Sequence, residues 1–95
     1  MLIELNSYRN GVQVFHKVGD DEQHCNSCYI NTNQIISINC YIHEHQQKYV
    51  IFMSNASSYI IKIIKEDNED YYINNIIRIR KLFGIVYTDS TYCTI

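Results

Sequence analysis

Ninety-five residues with a formal net charge of −2 are enough for one core and too few for a cleft between two lobes; a domain of this size buries roughly 60–65% of its unfolded surface. The mild acidity argues against a dedicated nucleic-acid binder, which usually shows a basic face. Seventeen Ile against three Leu and five Val, with nine Tyr, ten Asn and no Pro, favour a pleated sheet over a helix bundle, and this usage is that of AT-rich genomes.

The first eight residues carry Glu4 inside their only apolar run and have neither a basic leader nor an apolar core segment, so they do not read as a signal peptide. No apolar run approaches the roughly 20 residues that cross a bilayer, and the best, 59–65, is broken by Lys62. The expected location is the cytoplasm, away from membranes. Residues 2–5 and 12–17 flank Asn10-Gly11, a dipeptide suited to the positive φ angles of a type I′ turn, which predicts a β-hairpin between them. Residues 18–26 are polar and acidic, contain Gly19, and read as a surface loop. Tyr29 and Ile30 enter a short strand, and Asn31-Thr32-Asn33 is a turn of side chains that bond their own backbone.

Three strand-like runs follow, at 34–42, 49–53 and 59–65, closed by one amphipathic helix at 69–83. In the first run Ile36, Ile38, Cys40 and Ile42 share one face, while Ser37, Asn39, Tyr41 and His43 share the other. Residues 49–53 are apolar on both faces, as a central strand would be. The helix has Asp67 or Asn68 as N-cap and Glu69 and Asp70 in its first turn, where its dipole favours negative charge. Tyr72, Ile76, Ile79 and Phe83 recur at helical spacing, widened by Ile73 and Leu82. Arg78, Arg80 and Lys81 suit the C-terminal end of the dipole, and Gly84 suits the left-handed position after the last turn. The tail 85–95 alternates loosely and is expected to add edge strands. The whole chain, 1–95, therefore reads as a single α+β domain: a small antiparallel β-sheet with a single amphipathic helix packed on one face.

The run Tyr29-Ile30-Asn31-Thr32-Asn33-Gln34-Ile35-Ile36-Ser37-Ile38 resembles the core motif of small flagellar FlbD/SwrD-type proteins, in which a short strand and an Asn-centred turn lead into a hairpin and a terminal helix. The resemblance extends loosely over residues 1–82 and is specific over about ten of them. Thr32 stands where that family commonly has Pro, and residues 18–28 and the tail are additional. It implies a sheet-plus-helix fold and, as one alternative, a motility accessory role.

Cys25-x2-Cys28 followed by Cys40 and His43 has the ligand types of a Cys3His zinc site. Strand alternation opposes it, because Cys40 and His43, three residues apart, point to opposite faces. The ordinary reading of Cys40 is a small buried hydrophobe. As a redox pair, Cys25 and Cys28 lack the helix start that lowers a thiol's pKa in thioredoxin-like sites. With only Gly11, Gly19 and Gly84 there is no phosphate-cradling loop, and no nucleophile stands in a recognisable setting. Neither an enzyme nor a cofactor is expected.

Seven of the ten acids fall in two blocks, Asp20, Asp21, Glu22 and Glu66, Asp67, Glu69, Asp70, which complement a basic groove on a protein partner. One helix covers one face of a sheet, so either the tail 85–95 covers the other or that face pairs with a second copy or a partner. The expectation is a non-enzymatic protein–protein interaction module, of the kind that phages and mobile elements use to occlude a host nucleic-acid-handling complex (an anti-CRISPR-type inhibitor). Direct nucleic-acid binding is not expected. The alternative of a different class is a zinc-binding regulatory or nucleic-acid-binding module built on Cys25, Cys28 and His43.

Overall fold

The computed structural model describes residues 1–7, 11–66 and 69–84 in full, and the backbone alone at 92–94. The elements are β1 (Leu2–Asn6), β2 (Val12–Val18), β3 (Asp21–Cys25), β4 (Ser27–Asn31), a 3-10 turn at Thr32–Gln34, β5 (Ile35–His43), β6 (Gln46–Met53), β7 (Ser57–Ile64), α1 (Glu69–Phe83) and β8 (Tyr92–Thr94). Two antiparallel sheets result, a six-stranded one ordered β3-β2-β7-β6-β5-β8 and a two-stranded one of β1 and β4. The α+β class follows, with more sheet than the single small one expected.

The core lies between the layers. From the large sheet it takes Val12, Val14, Ile38, Cys40, Tyr49, Ile51, Ile61 and Ile63; from the small sheet Ile3, Leu5 and Ile30; and from α1 Ile76 and Ile79. The helix and the small sheet thus cover the same face of the large one. The helix bounds read from the change of hydrophobic period match those observed, and β5 to β7 form the expected meander. The expected N-cap residues, 67 and 68, and Asn10 of the expected turn lie outside the described residues.

The first hairpin is corrected. β1 does not pair with β2; it pairs with β4, Leu5 opposite Cys28, while β2 pairs with β7 and β3. Val12 and Val14 face the fully buried Ile63 and Ile61 across the strands. Gly11, with φ +87, makes this possible: its carbonyl accepts from the Ile64 amide at 2.8 Å, and a Cβ there would sit 2.5 Å from the Ile64 carbonyl oxygen. The expected loop at 18–26 is also corrected, since Asp21–Cys25 is β3. Its first four residues are exposed, so hydrogen bonding to β2, not burial, makes it a strand.

β5 departs from strict alternation. A bulge between Ile35 and Ser37 shifts its register against β6, which leaves Ile36 68% exposed and turns Ile35 toward the core. On α1, Ile73 and Leu82 are exposed, whereas Asn75 and Arg80 are buried. Arg80 is therefore not a surface cation answering the helix dipole. Its Nη2 reaches Cys40 Sγ at 3.5 Å and its guanidinium carbon lies 5.6 Å from the centre of the Tyr49 ring. Residues 76, 79, 80 and 83 are successive rows of one helical face, so packing over the sheet decides the placement.

Candidate functional site

The other face of the six-stranded sheet carries no covering element among the described residues. β8 lies beside β5 at the edge and lengthens the sheet. The pairing registers place the side chains of the open face in three rows across the strands. One row is Gln13, Lys62, Lys48 and Tyr41; the next is His24, Phe15, Ile60, Val50 and Asn39; the third is Glu22, Lys17, Ser58, Phe52 and Ser37. Rows are two residues, about 7 Å, apart and strands about 4.8 Å apart.

The first row holds an unfavourable pair. Lys48 and Lys62 stand directly opposite each other on β6 and β7, so their Cβ atoms are about 5 Å apart and their charges repel. Each ammonium leans away from the other onto a ring. Lys48 Nζ lies 5.3 Å from the centre of Tyr41 toward β5, and Lys62 Nζ 4.8 Å from that of Phe15 toward β2. Among the described residues neither meets a carboxylate within ion-pair distance. Lys17 has Glu22 across from it. Among the described residues, three bases (Lys17, Lys48 and Lys62) and one acid (Glu22) therefore fall in the rows of this face. Tyr41 and Phe52 remain 41% and 39% exposed.

The acid blocks are exposed throughout their described residues, but the fold does not bring them together. Asp20, Asp21 and Glu22 follow the end of β2 that pairs with Ser57; Glu66, Glu69 and Asp70 follow the opposite end of β7, beyond Ile63. The length of β7 between those pairs is roughly 20 Å. Glu69 pairs with Lys65 one turn away at 3.4 Å, and Asp67 lies outside the described residues. The two blocks are separate patches, and of their described residues only Glu22 reaches the open face.

The cysteine set divides as well. Cys40 is fully buried opposite Tyr49, and His43 is exposed on the opposite face at the end of β5. No three His, Cys, Asp or Glu side chains among the described residues are grouped to hold a metal. Cys25 and Cys28 do meet. Only Asn26 and Ser27 separate them where the chain passes from the large sheet to the small one, and both pack half-buried against the core. Burial, followed by the Cys25 thiol beside it, pushes the Cys28 thiol up to about 11. Burial and the two sulfurs also push the Tyr59 phenol up. Tyr59 stacks on His16 at 4.4 Å, whose buried Nε2 has no hydrogen-bond partner among the described residues.

Lys48 and Lys62 were invisible as a pair in the sequence, fourteen residues apart. One closed a polar connection and the other interrupted an apolar run; only the β6–β7 register makes them neighbours. Comparison of the chain with protein-family models, with curated proteins and with solved structures finds no match.

Proposed function

We propose that the protein is a non-enzymatic binding module that presents the open face of its six-stranded sheet to a negatively charged partner. The Lys48–Lys62 pair carries the reading. Like charges held directly opposite cost stability, and an anion placed between them turns the repulsion into attraction. The exposed rings of Tyr41 and Phe52 supply contact area. Self-association through this face sets four such lysines together, so a different molecule suits it better than a second copy. In an inhibitor of a nucleic-acid-handling complex, the target of this face is the complex's nucleic acid or an acidic protein surface, not a basic groove.

Heparin, a generic polyanion, tests this. Titrated into isotopically labelled protein, it should shift the amide resonances of β2, β5, β6 and β7 around Phe15, Val50 and Ile60. Shifts absent there at low salt, or perturbation of the acid blocks by a basic probe such as polylysine in their place, refute the reading.

A further inference from the structure

We infer that the molecule bound on the open face is single-stranded nucleic acid, an inference that rests on the reading of that face as an anion-binding surface. Two features of its chemistry fit together only for this ligand. The first is the cation pair. Lys48 and Lys62 sit opposite each other with no carboxylate within ion-pair distance among the described residues. The second is the alternation of cation and ring. Each lysine lies over an aromatic face, Lys48 over Tyr41 and Lys62 over Phe15. Phe52 stands two rows from Lys48 along β6, about 14 Å away, and is 39% exposed.

A phosphate arriving between the two ammonium groups draws each off its ring. The ring faces so uncovered accept bases, whose stacking is tolerant of sequence. Backbone and base of one strand thus replace, on the same side chains, the two halves of each lysine–ring contact. An acidic peptide satisfies the lysines but leaves Tyr41, Phe15 and Phe52 without planar partners. A duplex hides the faces of its bases, and a broad flat sheet does not enter its grooves. The net charge of −2 is no obstacle, because among the described acids only Glu22 falls in the rows of this face. Glu22, at its rim opposite Lys17, bounds the cationic part.

The test is fluorescence anisotropy of a labelled short oligo(dT), titrated with the full chain, beside a duplex of equal phosphate number. Two to three neutralised phosphates on a single strand give a log–log salt slope of about −1.4 to −2. Affinity should then fall about 7- to 20-fold between about 50 and about 200 mM salt. Phe52→Ala and Tyr41→Ala should each weaken binding roughly 5- to 100-fold, the loss of one base stack. Lys62→Glu should weaken it at least about tenfold while melting no lower than wild type, since it converts the like pair into an opposite pair; unfolding cannot then explain the loss.

Oligo(dT) failing to bind while heparin still shifts the open face overturns this inference and leaves the anion-binding reading standing. Failure of both probes overturns both. Duplex binding as tight as single-strand binding, or wild-type affinity in Lys62→Glu, also overturns the inference, as does stronger binding of polyglutamate than of oligo(dT), which assigns the face to an acidic protein.

Discussion

Ile38→Ala and Ile36→Ala, two residues apart on β5, test the bulge that gives the strand its register. Ile38 is 4% exposed and faces the fully buried Ile51 across the sheet. Truncating it removes three carbons, about 2.4 kcal/mol of transfer free energy at about 0.8 kcal/mol each. The cavity left behind adds to that, and a total of about 3 kcal/mol lies within the range of such changes. A domain of this size loses about 4–8 °C of melting temperature per kcal/mol, so Ile38→Ala should melt roughly 12–24 °C below wild type. Ile36 is 68% exposed, and Ile36→Ala should stay within about 0.5 kcal/mol of wild type. Urea and thermal unfolding followed by circular dichroism measure both. Equal losses at the two positions would show that β5 keeps strict alternation without a bulge, and the rows assigned to the open face on β5 would then be wrong.

Three further outcomes can be checked. Lys62→Glu should raise stability by about 0.5–1 kcal/mol at low salt, with the gain shrinking as salt is added; a lower melting temperature than wild type would contradict the repulsive pairing with Lys48. Gly11→Ala should cost at least about 2 kcal/mol, because φ +87 strains any side chain and its Cβ meets the Ile64 carbonyl oxygen at 2.5 Å; wild-type urea unfolding would refute the close approach of β2 to β7. Cys28 is an acid raised by folding from 9.0 to about 11, so the folded state keeps a proton that the unfolded state releases. Its contribution is complete below pH 9 and lost as pH rises through about 11. Stability measured across that window should fall less steeply in Cys28→Ala than in wild type, and identical slopes would remove Cys28 from the account.

Much of the framework was legible in the residues alone. The step from a period of two to one of 3.6 placed α1 at its observed bounds, and the apolar runs placed β5 to β7 to within a few residues, because burial writes its period into the sequence wherever one face of an element meets the core. Features set by pairing left no such trace. β3 is exposed along four of its five residues and exists because its backbone completes the ladder of β2. Exchange of the expected β1–β2 hairpin for β1–β4 is a choice between strand partners distant in the chain, with Val12 and Val14 set against Ile63 and Ile61. Ile36 faces outward because one extra residue enters β5, and Arg80 is buried because it falls between Ile76 and Phe83 on the packed face of α1. The face proposed for binding belongs to this second group. Hydrophobic periodicity pointed to a second face beyond the one the helix covers, but a charge pattern across strands depends on register, and register comes from pairings distant in the chain. The register sets Lys48 beside Lys62 and puts the two acid blocks at opposite ends of β7, so tertiary structure alone decided that the open face of an acidic chain is cationic.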